Sequence, residues 1–265
     1  MFYNAKEFSL KIGDTKMDYA RFGKGEKALL MIPGLNLRGV KGAAASLAIM
    51  YRMFAKEYTV YIFDRKADIP EGYTVEDIAE DTAFAMKELG ITSADVFGVS
   101  QGGMIAQYLA VNHPELVNKL VLGVTLSRQN ETVRNVVGGW VKLSENGEYK
   151  TLVEDMLKRM YSKEYLRKYS RLLPIMAKLS KPKDFGRFII LAKACLTCDI
   201  YDRLENIKCP VLVLGAMEDQ IVTAKASEEI AVKLNCELYM YPNLGHSAYE
   251  EAKDFNSRIY SFLKS

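Results

Sequence analysis

The sequence predicts an α/β protein with a mostly parallel sheet covered by helices on both faces. Three observations carry this. Wholly apolar runs such as Lys27-Ala-Leu-Leu-Met-Ile-Pro33 and Val211–Gly215 read as strands buried on both sides. Stretches of helical composition alternate with such runs at short intervals, the pattern of βαβ units. The alternation stops between residues 127 and 208, where helical periodicity replaces it, and then resumes.

Taken in order, Glu7–Ile12 and Lys16–Phe22 alternate around Gly13-Asp14 and predict an antiparallel hairpin. Lys27–Pro33 is the first buried strand, Ala43–Lys56 a helix and Tyr58–Asp64 a strand. Thr74–Leu89 is a helix with Glu76 and Asp77 in an acidic first turn. Asp95–Val99 is a strand, Met104–Asn112 a helix ending at His113-Pro114, and Lys119–Leu126 a strand. After the interruption come strand Val211–Gly215, helix Ala224–Leu234, strand Glu237–Tyr241 and a closing helix, Ala252–Leu263.

The clearest helical signal in the interruption is Leu152–Leu179. Leu157, Tyr161, Tyr165, Tyr169, Leu172, Met176 and Leu179 fall on one face, and Arg159, Lys163, Arg167 and Arg171 on the other. Pro174 is expected to break or kink it. The organisation expected is a core formed by residues 1–126 and 209–265, with a helical cap, 127–208, laid over the sheet's end.

Composition narrows the function classes. With 49% hydrophobic and 26% charged residues the chain is globular, and a net charge of +3 gives no reason to expect nucleic acid. No signal peptide and no run of membrane-spanning length is legible, so a cytoplasmic protein acting on a small molecule, away from membranes, is expected. Four cysteines do not make a secreted disulfide framework, and Cys195-Leu-Thr-Cys198 has neither a second pair nor a nearby histidine to complete a metal site. Asn130-Glu-Thr132 fits a glycosylation acceptor, which has no meaning in a protein that is not exported. Gly23-Lys-Gly25-Glu-Lys-Ala28 fits a dinucleotide fingerprint but leads into a strand, so no helix N-terminus is there to hold a pyrophosphate.

The chemistry-bearing stretch is Gly98-Val-Ser100-Gln-Gly102, between a strand and a helix. A tight turn there strains the serine backbone, and flanking side chains would collide with sheet and helix. The hydroxyl needs a base. Of the two histidines, His113 lies at the far end of the helix that begins beside Ser100, whereas His246 follows the last strand. In a parallel sheet that loop opens on the same edge as Ser100. Asp219, also just beyond a strand, is the acid candidate to orient His246, with Glu218 as its neighbouring rival. Backbone N–H groups of Gln101 and of Leu35, after Gly34, are the candidate oxyanion donors. Asn36, Trp140, Tyr161 and Tyr165 are candidates for substrate contacts.

With MIPGLN, GVSQGG, VLVLGAMEDQIV and YPNLGHS in these places, the chain resembles the α/β-hydrolase family over nearly its whole length. The resemblance implies eight strands, a helical cap between strands 6 and 7, and hydrolysis through an acyl-enzyme without metal or organic cofactor. Ser100, Asp219 and His246 stand in the family's triad order. The serine sets the chain apart from haloalkane dehalogenases and epoxide hydrolases, which use aspartate there. It departs from many members at Pro33, where they carry histidine, and at Asp64-Arg-Lys-Ala-Asp68, where they carry a glycine-rich turn.

The leading expectation is a serine hydrolase of a small carboxylic ester, lactone or thioester. The same triad also serves C–C hydrolases, lyases and aminopeptidases, and a catalytically silent ligand-binding protein is the alternative from another class. An aminopeptidase would want acidic groups in the cap, yet residues 158–187 hold ten Lys/Arg against Glu164 and Asp184. Those cations read as a solvated helix face before they read as a site for anionic substrates.

Overall fold

The computed structural model describes residues 3–172, 181–182 and 184–265. Eight strands form one sheet: β1 (Lys6–Ile12), β2 (Thr15–Gly23), β3 (Lys27–Ile32), β4 (Tyr58–Lys66), β5 (Ala94–Val99), β6 (Val117–Gly123), β7 (Val211–Ala216) and β8 (Glu237–Tyr241). Their spatial order is β1-β2-β4-β3-β5-β6-β7-β8. The β1–β2 hairpin is antiparallel and β2 runs antiparallel to β4; every other pairing is parallel. The outer hairpin accounts for "mostly" in the predicted fold class.

The period of two along a strand divides the core. Leu30 and Ile32 of β3 join Val96, Leu120 and Val213 in one apolar cluster, while Leu29 and Met31 join Phe97, Val121 and Leu212 in another. The first is covered by α2 (Val75–Glu88), α3 (Gln101–Asn112) and α8 (Ala224–Leu234), the second by α1 (Ala44–Met50) and α10 (Phe255–Lys264). The α2 start was legible because Thr74 and Asp77 form a reciprocal capping box.

Between β6 and β7 lie α4 (Glu131–Glu145), α5 (Tyr149–Met160), α6 (Lys163–Tyr169) and α7 (Gly186–Cys195). Val133, Trp140, Leu152, Phe188 and Leu191 of these helices belong to the same cluster as Val96 and Ile105. They therefore share the sheet's core.

Several boundaries differ from expectation. The Ala43–Lys56 helix is regular only to Met50, and turns carry the chain to β4. The closing helix, expected from Ala252, begins only at Phe255 as α10, and a short α9 (Ala248–Glu251) precedes it. The long stripe from Leu152 is broken at Tyr161–Ser162, where both residues are extended. There Met160 O accepts from Ser247 N at 2.8 Å, and Ser162 N donates to Glu251 Oε1 at 2.9 Å. The segment thus docks on the loop after β8 instead of continuing as helix. Tyr161 still stacks on Tyr165 across the break, and Tyr169 lies tilted against Tyr165, with ring centroids 4.4 Å apart in both pairs. Pro174, Met176 and Leu179 lie outside the described residues. Among the described residues no helix is long and apolar enough to cross a membrane.

The close packing of α3 on β3 can be tested at a glycine. A Cβ on Gly102 would sit 1.9 Å from Ile32 O, which is backbone and cannot give way. Gly102→Ala is expected to cost about 3 kcal/mol or more in urea unfolding, the upper range for overpacking. Gly138→Ala, inside α4 with open space around its Cβ, should instead gain roughly 0.5–1 kcal/mol. Equal effects from the two would contradict this packing.

Candidate active site

The C-terminal ends of β3, β5, β7 and β8 lead into four loops that converge. Ser100 stands between β5 and α3 with φ 53° and ψ −119°, a left-handed-side conformation that costs a non-glycine residue energy. Its surroundings hold it there. Ser100 N donates to Gly123 O at 2.9 Å, and its carbonyl accepts from Thr125 Oγ1 at 2.7 Å and from the Gly103 and Met104 N–H groups. The glycines around it are steric requirements: a Cβ on Gly98 would lie 2.3 Å from Gly102 O, and one on Gly103 would strike Thr125.

Ser100 Oγ lies 2.9 Å from His246 Nε2, and His246 Nδ1 lies 2.8 Å from Asp219 Oδ2. Asp219 Oδ1 accepts from the Ile221 and Val222 N–H groups at 2.8 and 3.0 Å. The imidazole and the carboxylate are almost wholly buried, with side-chain exposures of 4% and 1%. Burial pushes the Asp219 carboxyl up, but the His246 charge, its hydrogen bond and the two backbone donors outweigh that and hold it below the usual range. An ionised carboxylate only accepts, so His246 Nδ1 carries the proton and Nε2 is free to accept from the Ser100 hydroxyl. The two loops are tied to each other as well: Glu218 N donates to Leu244 O at 3.0 Å. Glu218 itself points out to solvent, which separates it from its neighbour Asp219.

The loop after β3 approaches the serine closely, since a Cβ on Gly34 would sit 3.3 Å from Ser100 Cβ. Among the described residues the backbone N–H groups of Leu35 and Gln101 have no acceptor, and Gln101 is the first residue of α3, whose N–H groups have no partner within the helix. The pocket over Ser100 is about 30 Å³ and is lined by Leu35, Met104, Trp140, Met156, Ile221 and Tyr249 among others, with no Lys, Arg, Asp or Glu on the lining among the described residues. A separate cavity of about 680 Å³ opens at the opposite ends of the strands between Lys27, Asp95 and Lys119 and touches none of these groups.

Of the candidates for substrate contact, Trp140 lines the pocket and donates from Nε1 to Asp155 Oδ2 at 2.8 Å. Tyr161 and Tyr165 do not line it: Tyr161 OH donates to Glu250 Oε2 at 2.6 Å and stacks on Tyr165. Asn36 holds its own loop, with Nδ2 donating to Gly34 O and Oδ1 accepting from Gly39 N, and lines a separate cavity of about 190 Å³ behind it. His113 is paired with Glu80 at the far end of α3. Asn130 caps α4 and donates to Val222 O at 2.9 Å. Cys195 and Cys198 are buried free thiols, and burial pushes Cys195 up to about 12.

Sequence reasoning missed Arg65. The residue is 2% exposed, and its Nη2 donates to Pro33 O at 2.6 Å and to Gln101 Oε1 at 2.9 Å. An arginine at the end of a strand buried on both faces was the available signal.

A mostly parallel sheet with Ser, His and Asp hydrogen-bonded in sequence at its carboxyl edge defines the α/β-hydrolase class of fold. The match to known proteins agrees. The family model of the alpha/beta hydrolase fold matches residues 28–253, and the chain belongs to that family. It is 28% identical, over 91% of its length and 92% of the relative's, to a Caulobacter segnis protein provisionally named a carbamate hydrolase, RutD. It is 23% identical to 3-oxoadipate enol-lactonase 2 of Acinetobacter baylyi, over 97% and 96% of the two chains. Among solved structures it resembles MGS-M2, an alpha/beta hydrolase from a Medee basin deep-sea metagenome library, with a TM-score of 0.89 at 21% identity over 97% and 98% of the chains. The enol-lactonase of Burkholderia xenovorans follows at 0.85 and 20% identity over 97% and 100%. Family and relatives together support a hydrolase.

Because the Asp219 carboxyl is held below its unfolded value, it contributes stability that is present above about pH 4 and lost as pH falls through the lowered folded value. Asp219→Asn should therefore be less stable than the parent at pH 7, with the gap in urea midpoint narrowing at pH 3. A gap that widens toward acid would contradict the assignment.

Proposed function

We propose that the protein is a serine hydrolase that cleaves a small, uncharged carboxylic ester, lactone or thioester through an acyl-enzyme. The observation that carries this reading is the unbroken chain from Ser100 Oγ to His246 to Asp219, at 2.9 and 2.8 Å. In it His246 Nε2 takes the Ser100 proton as Oγ attacks the acyl carbon, and the buried Asp219 carboxylate stabilises the imidazolium that forms. The Leu35 and Gln101 N–H groups hold the oxyanion. The imidazolium then protonates the leaving oxygen or sulfur, and water, deprotonated by the same imidazole, releases the acid and restores Ser100.

The lining supports the substrate class. A pocket of apolar side chains fits a compact hydrocarbon acyl group, and an acyl group bearing a carboxylate would meet no cation there. The described basic residues of the helical segment are placed elsewhere. Lys158, Lys163, Arg167 and Lys168 are exposed, and Arg159 is bound to Asp155 at 2.8 Å. Helices α4–α7 act as a cap in this reading, with residues 127–208 set on the 1–126 and 209–265 core. Three methionines in the lining, Met104, Met156 and Met160, give the closed pocket adaptable walls as a substrate enters.

The test is hydrolysis of p-nitrophenyl esters of increasing acyl length, with Ser100→Ala alongside. Turnover is expected to favour acetate to butyrate over octanoate and to fall by about 10⁴–10⁶-fold in Ser100→Ala and in His246→Ala. Equal turnover in parent and Ser100→Ala would overturn the mechanism.

A further inference from the structure

The Asp64–Arg65 pair at the end of β4 ties together three parts of the site. Asp64 Oδ2 accepts from Val40 N at 3.1 Å, and its Oδ1 accepts from Arg187 of α7 at 2.8 Å. With Asp64 so occupied, Arg65 reaches the two structures on either side of the serine. Its Nη2 donates to Pro33 O, where the loop carrying Leu35 begins, and to the side chain of Gln101, the residue after Ser100. Gln101 in turn donates from Nε2 to Leu191 O at 2.6 Å and to Cys195 Sγ at 3.0 Å, both on α7.

Two facts need explaining. Arg65 Nε and Nη1 are buried without a hydrogen-bond partner, and among the described residues no carboxylate forms an ion pair with this guanidinium. Leaving a charge buried and unpaired is expensive, and an apolar side chain of the same size would fill the space at lower cost. Burial lowers the guanidinium to about 10, so it stays cationic at neutral pH. In the resting site the neighbouring Asp64 favours the cation and Arg187 opposes it, and neither takes a hydrogen bond from its Nε or Nη1.

We propose that Arg65 is the positioning residue of the oxyanion hole. Its Nη2 clamps the Pro33 carbonyl and the Gln101 side chain, so that the Leu35 and Gln101 N–H groups are fixed at the geometry of the tetrahedral state. Its unpaired charge makes the oxyanion less costly. The inference rests on the serine-hydrolase reading. Its consequence is selective: the clamp acts on the transition state and leaves the apolar pocket that binds the ground state intact.

The experiment compares the parent, Arg65→Met, Arg65→Lys and Gln101→Met on the best p-nitrophenyl ester. Active sites are titrated with a fluorophosphonate, so that any unfolded fraction is removed from kcat. An alkylboronic acid, which forms a tetrahedral adduct on the serine, serves as the second readout. Arg65→Met is expected to lower kcat per titrated site about 10–100-fold, somewhat less than losing an oxyanion donor outright, with KM within about twofold. Boronate affinity should weaken by the same factor, and Arg65→Lys should recover part of both. Gln101→Met should repeat the pattern, with the double variant well short of the product of the singles. It also keeps the test decisive should Arg65→Met fail to fold. Unchanged kcat and boronate affinity per titrated site would overturn the inference, as would a loss confined to KM. A parent with no Ser100-dependent turnover would sink the underlying reading, and this inference with it. Ser100-dependent turnover indifferent to Arg65 sinks this inference alone.

Discussion

Everything at the carboxyl edge of the sheet depends on how near α3 comes to β3. At Gly102 the two backbones are so close that one methyl group would overlap Ile32 O. This contact forces the chain to turn within a single residue, and that residue is Ser100, at φ 53°. The strain is held by main-chain bonds on both sides of the serine and by the Thr125 hydroxyl. In exchange, the hydroxyl stands clear of the helix, and the first N–H of α3 faces the same space. A looser turn would give up both at once. Strain here and exposure of the hydroxyl are one structural fact.

The charges around that turn are sorted by burial. Asp219 is a buried anion with every near neighbour arranged to keep it ionised, and His246 receives the benefit through Nδ1. Arg65 is the opposite case, a buried cation with only two acceptors for its five N–H groups. Neither charge lines the pocket over Ser100 itself; each reaches it through a neighbour, Asp219 through His246 and Arg65 through Gln101 and Pro33. Lys158, Lys163, Arg167 and Lys168 of the helical segment face water, where salt and distance weaken them.

Much of this was legible in the sequence, for identifiable reasons. A strand buried on both faces leaves a continuous apolar run, so β3, β5 and β7 could be read almost to the residue. That Ser100, Asp219 and His246 come together could be read because parallel strands deliver all their following loops to one edge. Glu218 and Asp219 could not be separated by sequence, since a one-residue rotation in an irregular loop leaves no periodic trace. The helical break at Tyr161–Ser162 was hidden by a tyrosine spacing that suits one helix. Its only local sign is Ser162, whose Oγ accepts from Tyr165 N and caps α6. Tyr161 and Tyr165 stack regardless of the backbone between them, and Tyr161 donates to Glu250 instead of facing the pocket.

Arg65 was missed for a deeper reason. A charged residue at a strand's end is ordinarily taken for the start of solvent, and Asp64-Arg-Lys looks like such an end. What buries Arg65 is a helix more than a hundred residues away in sequence: α7 supplies Arg187 to occupy Asp64, and Leu191 and Cys195 to hold Gln101. Only when that helix lies over the sheet does the guanidinium lose water and turn to Pro33 and Gln101. Through Asp64 and Gln101, α7 is therefore tied to the same side chains that flank the two N–H groups beside Ser100, so the packing of one helix on the sheet bears on the geometry of that turn.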